Sequence, residues 1–211
     1  MRGIIRNEAE SDMQLVVVNL LDMIARFGRE EVEAFLHTFS CPLNVEVESF
    51  LWNKAIDFSL QKISVTHLVF NEKKELVAYF ALSPKAVCIS CDLLSMSLQR
   101  KLKRHGVYDI STNSVQTSAY LIAQFGKNAV ISSENGITGD KLMEQVFAIL
   151  KGVQHNIGGG VAFLECEDRP KLLDFYRNAH NNFQVYGERK ADDGVKYHQL
   201  MHIFNEKTFA N

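Results

Sequence analysis

The sequence predicts an α/β fold, a mixed and mostly antiparallel central sheet with helices on both faces. Three observations predict it. Apolar residues recur at helical spacing in some stretches and form short continuous blocks in others. Two pairs of blocks are separated by polar turns, which is the pattern of antiparallel hairpins. Between those pairs lies a strand–helix–strand order, which requires a parallel partnership.

The 211 residues suffice for one full core, and no linker, repeat or low-complexity stretch divides them. One domain over 1–211 is expected, with an N-terminal strand and helix extension over about 1–38. Met13 to Asn19 reads as a strand. Glu30 to Phe39 reads as a helix with Val32, Phe35, Leu36 and Phe39 on one face. Leu43 to Ile63 reads as a longer helix carrying Val47, Phe50, Leu51, Ala55 and Phe58. The period then changes. Thr66 to Phe70 and Leu76 to Leu82 flank the polar Asn71 to Glu75, a hairpin with a long turn.

Ser95 to His105 reads as a basic helix, and Val115 to Phe125 as a buried central strand. Ala129 to Gly136 is loop. Asp140 to Ile157 is the clearest helix, with Leu142, Val146, Ile149, Leu150 and Val153 on one stripe and Gly158-Gly159-Gly160 as its stop. Val161 to Leu164 is a short strand and Arg169 to Ala179 a helix. Phe183 to Tyr186 and Tyr197 to Phe204 close the sheet as a pair. The three prolines (Pro42, Pro84, Pro170) read as punctuation between elements.

Charge and composition exclude several classes. Lys plus Arg number 23 and Asp plus Glu 25, a net charge of −2, so bulk charge does not bind nucleic acid. No segment approaches the roughly 20 apolar residues that span a bilayer. The aliphatic Leu15 to Val18 is too short for a signal-peptide core and lies between Asp12 and Asp22. A cytoplasmic protein without membrane contact is expected, and four cysteines suit a reducing compartment. Cys88-Ile-Ser-Cys91 has no second pair to complete a zinc site, so no metal is expected.

Candidate chemistry gathers where the central strand feeds the clearest helix. In an open α/β sheet, ligands bind at the C-terminal strand edge. Asn135-Gly136-Ile137-Thr138-Gly139 lies there, and the amides of Gly139, Asp140 and Lys141 open the helix toward an anion. The competing reading is a plain loop with Thr138 as N-cap, and Asp140 would contest the helix dipole with a phosphate.

Several strings together resemble the GNAT-type N-acetyltransferases, in particular a bacterial subgroup related to toxin acetyltransferases. The strings are Phe39-Ser40-Cys41-Pro42-Leu43 with the helix after it, Thr66 to Phe70 with Ala78 to Ser83, Leu121 to Asn128, Leu164 to Asp168, and Asp174-Phe175-Tyr176. Two departures stand out. The family's pyrophosphate loop reads Arg/Gln-x-x-Gly-x-Gly/Ala. With Gly139 on its last position, Ile137 stands on the middle glycine and Glu134 on the leading residue. The glycine that usually follows the last helix is absent between Tyr176 and Phe183.

The resemblance implies transfer of acetyl from acetyl-CoA, a co-substrate, to a primary amine. It implies that Phe125, Gly126, Lys127 and Asn128 hold the pantetheine arm and that Thr138, Gly139, Asp140 and Lys141 hold the pyrophosphate. It implies Tyr176 as the acid for the departing thiolate; the competing reading of Tyr176 is a core aromatic. The general base is open among Glu165, Glu134 and His198. Other functions remain open: a non-catalytic binding module on the same fold, or a toxin-like aminoacyl-tRNA acetyltransferase. For the latter, Gln99 to His105 is the one dense basic run, and its plain reading is a solvated helix face. A homodimer is possible.

Overall fold

A computed structural model describes residues 14–204. The predicted strand's first residue, Met13, lies outside that range. An eight-stranded sheet runs in the order β1-β2-β3-β5-β6-β8-β7, with β4 paired to β5 off this path. The strands are β1 (Val16–Asn19), β2 (Val65–Phe70), β3 (Leu76–Ser90), β4 (Gly106–Asp109), β5 (Ser114–Lys127), β6 (Val161–Glu167), β7 (Gln184–Lys190) and β8 (Lys196–Ile203). All pairings are antiparallel except β5 with β6. The crossover between those two strands is α6 (Gly139–Ile157), as a parallel pair demands.

The long β3 shows why its first half is continuously apolar. Ala78 and Phe80 join the core beneath α6 and α7 (Pro170–Arg177), with Leu142, Val146, Leu150 and Tyr176. Tyr79 and Ala81 face the opposite core, with Leu20, Leu36, Phe39 and Leu51. Successive side chains of a strand point to opposite faces, so a strand covered on both sides has no polar alternation. A third cluster around Ile89, Leu102, Val115 and Met201 closes the far end of the sheet.

The first helical layer differs from the expectation. A helix α1 (Leu20–Phe27), unanticipated from the sequence, precedes α2 (Arg29–Leu36). Asn19 caps it by accepting from the Leu21 amide, and Gly28 at φ 86° separates the two helices. The single helix expected over Leu43 to Ile63 is instead α3 (Val45–Asn53) and α4 (Ala55–Leu60). The break falls at Lys54, whose φ of −127° leaves the helical region.

Pro84 does not punctuate; it lies inside β3, opposite Tyr120 of β5. β2 pairs with β3 only as far as Leu82. Beyond that residue β3 has one neighbour, and a missing N–H is tolerated on such an edge. The basic helix forms as α5 (Met96–Leu102), capped by Ser95, and the short β4 after it was not anticipated. Helix α6 begins at Gly139 with Thr138 as its cap and ends at Gly158, φ 77°. No described helix is long and apolar enough to cross a membrane.

Candidate active site

The site is made by the sheet coming apart. β5 and β6 pair at Tyr120–Ala162 and Leu121–Phe163 and nowhere beyond. Immediately after, Leu82 of β3 sits opposite Ile122 and Ala81 opposite Gln124, which leaves Ala123 as an extra residue in β5. A bulge of this kind bends its strand and ends pairing on one side. The result is a cleft of about 430 Å³ between the two strands, within the range of small-molecule sites.

Its walls come from six elements. β5 contributes Ile122 to Phe125 and Lys127, and β6 contributes Leu164 to Glu167. Phe175 and Tyr176 of α7, Gly139 at the start of α6, Glu46 and Val47 of α3, and Tyr197 of β8 complete them.

Of the residues expected to act, Phe125, Lys127, Gly139, Glu165 and Tyr176 line this cleft. The others stand outside its lining, and each has other work. Gly126 faces α3, where a β-carbon would come 2.4 Å from Val47 Cγ1. Asn128 is buried; its Oδ1 accepts from the Ser40 and Val130 amides, and its Nδ2 donates to the Leu76 carbonyl. Thr138 Oγ1 accepts from the Lys141 amide at 3.2 Å. Asp140 Oδ1 accepts from Asn178 and Asn181, tying the helix start to the end of α7. The amides of Gly139 and Asp140, the first two of the helix, are left free for a ligand.

Tyr176 is 8% exposed and packs against Phe125, Phe175 and Phe183. Burial pushes its phenol well above the ordinary value, so it stays protonated at neutral pH. Cys166, also in the lining, is pushed up to about 11, first by burial and then by Asp168 and Glu167. It is a neutral thiol at pH 7.

Three candidates were open for the base. Glu165 Oε2 accepts from Arg189 Nε at 2.6 Å and its Oε1 from Gln199 Nε2 at 2.8 Å, so both oxygens are engaged. The His198 ring lies outside the lining, 2.9 Å from Asp168 Oδ1 and 3.3 Å from Glu188 Oε1, with neither approach aligned as a hydrogen bond. Glu134 is exposed in the loop before α6. The basic helix α5 precedes β4, which pairs with the start of β5 at Ser114 to Thr117, whereas the α6 turn follows its end. Nearly the whole length of β5 separates the two. Cys88 is exposed and Cys91 buried, and the described residues contain no group of three or more His, Cys, Asp or Glu placed to hold a metal.

Sequence reasoning did not single out Glu46, Cys166, Glu167, Phe175 or Tyr197 as site residues. Phe175 carried a local signal, since it neighbours Tyr176 on one helix. Glu46 and Tyr197 reach the cleft from elements remote in sequence from β5, and nothing local marks them.

No protein-family model and no curated protein matches this chain by sequence. Its backbone does match solved structures. AtaT complexed with acetyl-methionyl-tRNAfMet superposes with a TM-score of 0.62 at 14% identity, over 93% of this chain and 98% of that one. AtaTR bound with AcCoA gives 0.58 at 12% identity, over 93% and 97%. A chimera of the spermidine N-acetyltransferase SpeG from Vibrio cholerae and hSSAT gives 0.55 at 11% identity, over 94% and 99%. What is shared at such identities is architecture: the chain has the GNAT-type acetyltransferase fold.

Proposed function

We propose that this chain transfers an acetyl group from acetyl-CoA to a primary amine. The observation that carries the reading is the cleft between β5 and β6, into which the unpartnered hydroxyl of a deeply buried tyrosine opens. No group among the described residues forms a hydrogen bond with that hydroxyl, which leaves it free to donate to a group bound in the cleft.

The chain's residues fit the co-substrate in three places. The β5 edge beyond Leu121 has no β6 partner, and its main-chain groups at Phe125 and Lys127 are suited to an amide-bearing pantetheine arm, whereas Gly126 and Asn128 alternate toward β3, the Asn128 amide donating to the Val77 carbonyl. The free amides of Gly139 and Asp140, with Thr138 and Lys141 beside them, suit a pyrophosphate. Ile122, Phe125, Leu164 and Phe175 give the cleft an apolar wall beside its charged residues. Acetyl-CoA supplies an activated acyl carbon and a thiolate leaving group.

In this reading a main-chain amide at the bulge aims at the thioester oxygen, and a pre-aimed donor of that kind contributes roughly 3 kcal/mol. Tyr176 gives its proton to the departing sulfur and regains one from solvent. Glu165, fixed by Arg189 and Gln199, orients the incoming amine. The proton shed by the amine leaves through water.

Thermal unfolding with and without CoA tests the reading. A ligand at 100 times its Kd stabilises the native state by about 2.7 kcal/mol. The expected result is a rise in Tm with CoA and with acetyl-CoA, and release of free thiol when an amine is added. An unchanged Tm at millimolar CoA would overturn it and leave the binding-module reading. That second reading draws on one observation, the Phe175 ring packed against Gly139 at the start of α6.

A further inference from the structure

The charge of the cleft bears on the acceptor, and the following inference rests on the acetyltransfer reading. Three carboxylates line the cleft, Glu46 from α3 and Glu165 and Glu167 from β6, against the single ammonium of Lys127. Arg189 answers Glu165 at 2.6 Å and Arg169 answers Glu167 at 2.5 Å. Glu46 is exposed at the first turn of α3 and forms no ion pair among the described residues. Tyr197, another lining residue, stands among negative groups. Burial first, then Glu46, Glu167 and Asp193, push its phenol upward. Glu167 and Tyr197 face each other across the β6–β8 pairing, and Glu46 lines the same cleft from α3. Independently, the Tyr176 side chain is more than nine-tenths buried and lines the same cleft, and its hydroxyl has no hydrogen-bond partner among the described residues. It marks where a ligand's reacting end belongs.

We infer that the acceptor is a small oligocation, an amine with a second positive charge a few carbon atoms from the reacting nitrogen. Glu46 and Glu167 at the Tyr197 side hold the second ammonium, while the neutral amine reaches the acyl carbon. The reacting nitrogen forms a bond to the acetyl carbon and loses one proton to solvent. The carbon–sulfur bond breaks, and the thiolate takes the Tyr176 proton. A phosphate-rich acceptor such as an aminoacyl-tRNA would set its own charge against these carboxylates, and like charges in contact disfavour binding. The basic helix α5, which would attract such an acceptor, lies at the opposite end of β5.

The test compares 1,4-diaminobutane, n-butylamine and aminoacyl-tRNA as acceptors, following thiol release from acetyl-CoA by the full chain. The diamine is expected to exceed the monoamine at least tenfold in kcat/KM. Glu46→Gln should raise KM for the diamine about tenfold, reduce the diamine's advantage over butylamine by the same factor, and leave Tm within a degree of the parent. Glu167→Gln should act in the same direction, which guards against an effect peculiar to the α3 terminus. Equal kcat/KM for the two amines, an indifferent Glu46→Gln variant, or activity on aminoacyl-tRNA alone would overturn the inference. In each of those cases a retained CoA-induced rise in Tm leaves the acetyltransfer reading standing. Absence of that rise removes both.

Discussion

A β-carbon placed on Gly139 would lie 2.7 Å from Cε2 of Phe175, so the first residue of α6 and the ring from α7 compete for one volume. The ring also packs against Phe125 at 5.9 Å between centroids. Only a glycine lets the helix start and the ring share this corner of the cleft.

The Gly139→Ala variant is accordingly expected to push Phe175 toward the cleft. The CoA-induced rise in Tm should shrink, with Kd weakened about tenfold, equivalent to about 1.4 kcal/mol. Adding Phe175→Leu should restore much of the loss. An undiminished CoA shift in the single variant would show that this corner lies outside the binding path.

Tyr176→Phe keeps the ring's packing and removes the proton. General acids contribute roughly 10²–10⁴-fold, so kcat should fall by at least about a hundredfold while the CoA-induced Tm rise is preserved. Steady-state rates with one amine acceptor and a parallel melting curve check both halves. An unchanged kcat would take Tyr176 out of the chemistry and return it to the role of core aromatic.

Gly126→Ala tests packing alone. Its β-carbon would meet Val47 Cγ1 at 2.4 Å, and the β-branched Val47 sits on a helix that Tyr79 clamps by donating to the Val47 carbonyl at 2.5 Å. Overpacking of this sort costs about 1–3 kcal/mol. Urea unfolding should show the loss, and Val47→Ala in the same chain should recover part of it. Equal stability of parent and Gly126→Ala would mean that α3 moves freely.

Two histidines set an acid limit on stability. Burial holds the imidazoles of His67, stacked on Phe80 at 5.0 Å, and His202, bonded to the Asn181 carbonyl, below the ordinary histidine value. The native state keeps both neutral where the unfolded chain is protonated. Below about pH 6.5 unfolding therefore takes up protons, and stability falls with pH until the native rings titrate. The limiting slope is about 1.4 kcal/mol per pH unit for each histidine. Urea unfolding at pH 7.5, 6.5 and 5.5 should show this decline, and His67→Phe should lessen it. An unaltered pH profile in that variant would exclude His67 as a contributor.

Legibility of the sequence tracked how local the cause was. Helix α6 was readable to within a residue because its stripe, its Thr138 cap and its Gly158 stop all lie in its own segment. The break at Lys54 was not, since apolar spacing continues across it from Leu51 to Ala55 and Phe58. Only the packing of two short helices onto the sheet makes the chain turn there. Helix α1 has a local signal of the same kind: Leu20, Met23, Ile24 and Phe27 follow helical spacing after a capping Asn19. That the central strand ends beside the start of α6 could be inferred from element order. The roles of Asn128 and Asp140 as ties could not, because their partners Ser40, Leu76, Asn178 and Asn181 lie 38 to 88 residues away.

Because β5 and β6 share only two rungs, at Tyr120 and Leu121, the sheet is nearly two sheets. One plate is β1-β2-β3-β5 and the other β6-β8-β7, with the α6 crossover as their strap. Glu46 and Lys127 ride on the first plate, while Glu165, Tyr176 and Tyr197 belong to the second or to its covering helix. Slow amide exchange should therefore divide at that seam, and substitutions that tilt one plate against the other will alter the aperture without touching any residue inside it.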